Sequence, residues 1–295
     1  MSKFKVSLLF LTVFFAVLLS FSFTSNAQVA ITIDLNHKSY MKYEAIYAEV
    51  SLRNYSGHAL AFGENPNLHG KLYFEIFTQG GELVQMASKE YPSLKGIVIA
   101  PGVSRKVTIP VSKYYKSFPV GKYRIIAYVE HAQFTNAYQS NTVTFTVSDG
   151  ITVWKSSAGV PDTLEKKDTR NIKARNYKII SLYDGSHKIF YLVIDDDTNV
   201  HAVKRIGYEM GSAIPACEID YLSRLHIMLQ LSPKIFVYML YDINGKLDDK
   251  AVYKKIGEEP ILVRNPDTGE VLVAGGEKAR KDFDYKEDAE IPFKE

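Results

Sequence analysis

Asp195, Asp197 and Asn199 alternate as the first ligands of an EF-hand-type calcium loop do, where side-chain oxygens converge on one hard cation. The loop then needs a glycine where this chain has Val200, and a bidentate glutamate where it has Ile206. The segment therefore reads as an acidic hairpin turn, because Asp and Asn tolerate turn conformations, with a weak calcium site as the alternative. Glu218, Asp220 and His226 are the second group with chemical potential. They lie close in sequence around a turn and would serve a hydrolase of polysaccharide or peptidoglycan, in a site assembled between two domains. In a strand, however, His226 faces away from Leu225 and Ile227, which favours a hydrogen-bonding structural role.

The remaining reactive residue types do not form constellations. The seven histidines (37, 58, 69, 131, 187, 201 and 226) include no pair at zinc-ligand spacing. Ser186 and His187 are neighbours that point apart on a strand or turn, and no Gly-x-Ser-x-Gly elbow exists. Asp248-Asp249 and Glu258-Glu259 fall in polar turns, and Gly275-Gly276 lacks the helix and lysine of a phosphate loop. Cys217 beside Ala216 and Ile219 reads as a buried, inert thiol rather than a nucleophile. The expectation is accordingly a chain with no catalytic, cofactor-binding or metal residue, and not an enzyme.

The elements that would hold these residues announce themselves by repetition. Lys188-Ile189-Phe190 opens an apolar run that ends at Asp195-Asp196-Asp197-Thr198-Asn199 and is answered by Val200 to Gly207. Lys234-Ile235-Phe236 opens another, which ends at Asp242-Ile243-Asn244-Gly245 and is answered by Ala251 to Gly257. The recurrence falls in the range of about 40–50 residues that repeated β-units use. A strand precedes each opening (Tyr177–Tyr183 and Arg224–Gln230), so each copy is a three-stranded meander, and the two stack as a sandwich or small barrel. Ile261–Arg264 and Glu270–Ala274 add a hairpin around Asn265-Pro266-Asp267-Thr268-Gly269. Trp154, the only tryptophan, is a core or interdomain anchor in this scheme, with a sugar-stacking platform as the alternative. Residues 156–176 are polar and charged around Glu165-Lys166-Lys167-Asp168 and read as a surface loop or short helix.

Upstream, residues 28–149 show period-two alternation. Ile31, Ile33 and Leu35 form one apolar face, Ile46, Ala48, Val50 and Leu52 another, and Leu72, Phe74 and Ile76 a third. Asn54-Tyr55-Ser56-Gly57 and Gln79-Gly80-Gly81-Glu82 read as hairpin turns, and strands follow at Ile97–Ile99, Val103–Ile109, Arg124–Val129 and Asn141–Val147. The order Tyr43-Glu44, Leu52-Arg53-Asn54, Gly80-Gly81, Pro119-x-Gly121-x-Tyr123 resembles bacterial exported immunoglobulin-like modules, including those akin to macroglobulin domains. The resemblance covers residues 29–148 and implies a β-sandwich used as a spacer, adhesive or docking module. It also implies that Tyr123 packs or bonds back across the corner made by Pro119 and Gly121. Residues 150–276 loosely resemble exported bacterial proteins of unassigned function.

Residues 1–27 read as a cleaved secretory signal: Lys3 and Lys5, an apolar stretch from Val6 to Phe23, then small residues at Ser25 and Ala27. An uncleaved anchor is the competing reading. Cleavage removes two lysines and lowers the formal charge from +3 to +1, which excludes a basic nucleic-acid binder. With 46% apolar and 13% aromatic residues, wholesale disorder is excluded as well. One cysteine allows no internal disulfide, so packing must hold the exported chain.

The expected product is all-β and two-domain. A signal peptide (1–27) precedes an immunoglobulin-like sandwich (28–149), a duplicated β-meander domain (150–276) and a charged flexible tail (277–295). It is expected in the periplasm or secreted, with no stable membrane insertion after cleavage, acting on an unknown protein or glycan partner. Tyr47 and Tyr73 mark tyrosine-rich outer faces suited to association.

Overall fold

The structure is a computed structural model that describes residues 28–115, 118–160 and 174–286. The expected signal segment, the charged centre of the 156–176 stretch and the last nine residues of the tail lie outside the described residues. Apart from a one-turn α1 (Val111–Tyr114) and a short 3-10 turn, the elements are strands, so the chain is all-β. No helix among the described residues is long and apolar enough to cross a membrane.

Nine strands occupy the first half: β1 (Val29–Leu35), β2 (Ser39–Met41), β3 (Tyr47–Asn54), β4 (Leu60–Ala61), β5 (Gly70–Thr78), β6 (Val98–Ile99), β7 (Ser104–Pro110), β8 (Gly121–His131) and β9 (Tyr138–Ser148). Period-two alternation decides which side chains meet: Ile31, Ile33, Ala48, Val50 and Leu52 face Leu72, Phe74, Ile76, Ile125, Ala127 and Val129 across one core. The facing sheets are β1-β3-β7 and β2-β9-β8-β5, a β-sandwich with β2 parallel to β9 and the other pairings antiparallel. One of the two hairpins expected from the turns does not form. The Asn54–Gly57 turn leads β3 out of its sheet, and β5 pairs with β8 on the opposite one. The reason is that β3 and β5 each bury one apolar face, and facing each other across the core covers both at once. The Gln79–Glu82 turn does return the chain as a short hairpin: Leu83 bridges Phe77 antiparallel, Thr78 N donates to the Glu82 carbonyl at 2.9 Å and Val84 N to the Ile76 carbonyl at 2.7 Å. Asn54 ends β3 buried, its Nδ2 donating to the carbonyls of His58 (2.8 Å) and Ile99 (2.9 Å). Tyr123 donates its hydroxyl back to the Pro119 carbonyl at 2.7 Å.

The second half begins with β10 (Ile151–Gly159), β11 (Ala174–Tyr183), β12 (Lys188–Asp195) and β13 (Val200–Tyr208), an antiparallel meander. It continues with β14 (Ala216–Ile219), β15 (Leu225–Ser232), β16 (Ile235–Tyr241) and β17 (Leu247–Lys254), a second meander. Then come the hairpin β18 (Ile261–Arg264) and β19 (Val271–Ala274), and β20 (Glu277–Lys278) pairs with β17. The stretch read as a loop from 156 to 176 is strand at both ends, since β10 runs to Gly159 and β11 starts at Ala174. The tail also differs from expectation over its first part: β20 extends the sheet, Ala279 and Tyr285 pack on the core, and Lys254 bonds Asp284 at 3.3 Å.

The two apolar runs, Ile189–Ile194 and Ile235–Tyr241, do not alternate, and the layering explains why. Phe190, Leu192 and Ile194 face Ile235, Val237, Met239 and Tyr241, so the meanders form a sandwich rather than a barrel. The other face of β12 (Ile189, Tyr191, Val193) is covered by Met41 of the first sandwich. The other face of β16 (Phe236, Tyr238, Leu240) lies under Leu262 and Val273 of the β18–β19 hairpin. A central strand buried on both faces is apolar at every position.

The turns between these strands have little room. Gly245 sits at φ +80°, and a Cβ there would lie 2.3 Å from the Ala202 Cβ of the facing meander. Gly245→Val should therefore destabilise the protein by about 3 kcal/mol, from forced positive φ and overpacking together. A urea midpoint close to that of the parent protein would contradict this packing.

Candidate functional site

A concavity of about 770 Å³ runs along the acidic turn between β12 and β13, lined also by Tyr43 of the first sandwich. The residues with calcium-like spacing sit here, but the structure gives their oxygens other duties. Asp195 takes Lys178 as an ion-pair partner and accepts from Asn176 Nδ2 at 3.2 Å. The organiser is Asp196, which the alternation skips. Its Oδ1 accepts from Thr198 N, Thr198 Oγ1 and Asn199 N, each at 2.8 Å. Its Oδ2 receives Arg175 Nη1 at 3.0 Å and His201 Nε2 at 2.6 Å. The bond from His201 and the Thr198 and Asn199 donors hold the carboxyl well below the ordinary range. With the Asp196 carboxylate fully engaged, the turn is built as a structural Asx motif. Among the described residues no group of three or more His, Cys, Asp or Glu is arranged to hold a metal ion.

Asp220 and His226 do come together. His226 on β15 is 3% exposed; its Nε2 lies 3.2 Å from Asp220 Oδ2, and its Nδ1 lies 2.9 Å from the Tyr238 hydroxyl on β16. An ionised Asp220 can only accept, so Nε2 carries the proton and Nδ1 accepts from Tyr238. Asp220 also accepts from Leu222 N, Arg224 N and Arg224 Nε at 2.8–3.0 Å. Burial pushes the Asp220 carboxyl up, but these donors win and hold it low. Burial lowers the His226 pKa against the opposing pull of Asp220, so the ring is neutral. Glu218 is the cross-strand partner of His226 and contributes its charge. The expected position between domains is corrected: every hydrogen-bond partner of this group lies on β14–β16 or the Asp220–Arg224 turn. The sheet here is closed over by the β18–β19 hairpin. Tyr238 was not legible as a partner; it is a diagonal cross-strand neighbour, visible only once β15 and β16 are registered.

The junction of the two halves contains the other buried ionic group. Glu44, in the turn after β2, accepts from Arg205 Nε (2.6 Å), the Met41 amide (2.8 Å) and the Tyr191 hydroxyl (3.1 Å). Arg205 Nη2 donates to the Ser39 carbonyl at 2.6 Å, and its guanidinium lies over the Tyr191 ring. The Arg205 and Glu44 side chains are 8% and 9% exposed. Burial pushes the Glu44 carboxyl up, and Arg205 pulls it back.

No family model and no curated protein matches the chain. Among solved structures it is similar to the sporulation control protein Spo0M from Bacillus subtilis, at 9% identity over 58% of this chain and 80% of that one, with a TM-score of 0.27.

The single cysteine and tryptophan take plain roles. The Cys217 thiol packs against the second core, and burial, aided by the Glu218 charge, pushes it far above the ordinary thiol range, where it is a poor nucleophile. Trp154 packs on the same core.

His37, half-buried beside the junction, gives a pH signature. Burial and then the Arg205 charge lower its pKa to about 4, against a weaker pull from Asp184. Between pH 6.5 and about 4 the unfolded chain binds a proton that the folded one refuses, so stability falls as pH falls through this window. His37 should contribute about 1–2 kcal/mol to the loss between pH 7 and pH 5, after allowance for its partial exposure. His226 adds to the loss, and the raised Glu44 opposes it, so the readout is the difference from His37→Gln. That variant should show a shallower decline of urea midpoint with acidity; parallel curves would refute the assignment.

Proposed function

We propose that the chain is an exported, non-catalytic binding or assembly protein. In this reading an immunoglobulin-like module (28–149) and a duplicated-meander module (150–276) are joined as one body. The observation that carries the reading is the Glu44–Arg205 joint: a buried ion pair, supported by the Met41 amide and the Tyr191 hydroxyl, spans the two halves and fixes one against the other. A fixed joint suits a scaffold that presents surfaces and grooves at set positions, and burial against Arg205 keeps Glu44 away from solvent and substrate. The apolar stretch at residues 6–23 supports export, and its cleavage would leave a chain free in the periplasm or outside the cell.

The Asp220–His226 pair favours a second reading, a hydrolase with His226 as general base. Against it, Tyr238 occupies the free nitrogen of the ring and the β18–β19 hairpin lies over the group.

A thermal-melt screen of the purified protein against cell-wall glycans, charged polysaccharides and peptides tests the first reading. A midpoint that rises by several degrees and grows with ligand concentration is expected. A flat response across all three classes would overturn it.

A further inference from the structure

We propose that the outer face of the four-stranded sheet β2-β9-β8-β5 binds an anionic glycan, a carboxylate-bearing polysaccharide, through Lys38, Lys122 and Arg124. This rests on the binding reading above and names the ligand class.

A groove of about 600 Å³ crosses the end of this sheet, and among the described residues these three are its charged lining. Lys122 and Arg124 are two residues apart on β8, so both project from the outer face about 7 Å from one another while Tyr123 turns into the core. Lys38, in the turn before β2, bounds the same groove. All three are exposed, and among the described residues none forms an ion pair. Other exposed lysines do have acidic partners, Lys106 with Glu49, Lys95 with Glu64 and Lys255 with Glu259. Three uncompensated cations around one groove make a field that favours a ligand with several negative charges in succession.

The rest of the lining separates a sugar acid from a simple anion. Thr144 and Thr146 stand opposite Arg124 and Lys122 in the β8–β9 register and present hydroxyls beside the cations. Thr78 and Gln79 add polar groups at the far wall. Hydroxyls and amides that both give and accept hydrogen bonds match a polyhydroxylated chain. Phe77 lies under the Arg124 guanidinium, at 4.7 Å, on the outer face of β5. Further along the same face Tyr73 and Tyr128 stack at 5.2 Å with an interplanar angle of 11°, and Lys71 lies over Tyr73 at 4.8 Å. The edges of this aromatic strip offer apolar contact to pyranose units beyond the groove, while Glu75 and Glu130, which accept from the Tyr128 and Tyr73 hydroxyls, leave the ligand's carboxylates to the groove cations.

The probe is a fluorescent oligogalacturonate, titrated with the purified protein at low salt. Saturable binding is expected, and Lys122→Gln with Arg124→Gln should weaken it about ten-fold, since two exposed charges contribute roughly 1.4 kcal/mol together. Lys89→Gln with Lys155→Gln removes the same net charge from exposed positions elsewhere and should change the affinity less than about two-fold. A neutral glucan should not bind, and neither polyglutamate nor inorganic phosphate should compete at equal charge. Equal losses in both double variants, or competition by polyglutamate as strong as by unlabelled oligogalacturonate, would overturn the proposal. The second outcome would point to an acidic protein partner. Absence of oligogalacturonate binding alongside a melting shift with another ligand would remove this site and leave the binding reading standing. Absence of both would remove the two together.

Discussion

Arg205→Met is expected to destabilise the protein by about 3–5 kcal/mol, because it strands the buried Glu44 carboxylate without its counter-charge. The Coulomb gain of the native pair is offset by the desolvation of both ions, so the pair itself contributes little net. Breaking it on one side is what costs. The control is the double change Glu44→Gln with Arg205→Met, which keeps the volume, removes both charges and leaves the Gln carbonyl to accept from the Met41 amide. It should recover most of the loss, so the two single effects will sum to far more than the double. Urea unfolding of the four proteins at pH 7 measures this. If the single and double changes prove additive, the joint between the halves is not an ion pair in the sense described.

The second large effect is expected at Asp220. Its carboxylate, 1% exposed, gathers two turn amides, the Arg224 guanidinium and the His226 ring, and all lose their acceptor in Asp220→Ala. About 3 kcal/mol should be lost, the sum of a broken turn and unsatisfied buried donors. Asp220→Asn should cost less, about 1–2 kcal/mol, because the amide oxygen still serves the turn while His226 must exchange its tautomer. Imidazole nitrogen NMR shifts read that exchange directly. The native ring should show a protonated Nε2 and bare Nδ1 at pH 7, and the Asn variant the reverse. An unchanged tautomer would mean that Tyr238, not Asp220, sets the ring.

Much of the architecture was legible because strand patterns are local. Ile31 to Leu35 and Ile46 to Leu52 alternate, and each became a strand with one buried face. The unbroken runs at Ile189–Ile194 and Ile235–Tyr241 became central strands covered on both sides. What covers them was not legible: Met41 and Leu262 are far away in sequence, and nothing in their local pattern names a partner. The same limit hid the pairing of β5 with β8 in place of a hairpin after Asn54. It also hid Arg205 and Glu44, whose bond joins positions 161 residues apart. The start of the tail, read as free because it is charged, docks because β17 offers an open sheet edge and Ala279 and Tyr285 supply the apolar contact.

The candidate chemistry divided along similar lines. Asp220 and His226 were near in sequence and did meet. Asp195, Asp197 and Asn199 had ligand-like alternation, but the residue between them, Asp196, became the hub of the turn. Alternation on a strand places i and i+2 on one side; at the turn that geometry ends, and the spacing no longer reports what converges.

The claim that this protein binds its ligand without converting it is tested most directly by titration calorimetry, with the ligand that gives the largest melting shift. Each injection should give a discrete heat that returns to the baseline, and the series should saturate. A baseline displaced in proportion to protein concentration, restored by His226→Asn, would show turnover at the Asp220–His226 pair and contradict the account.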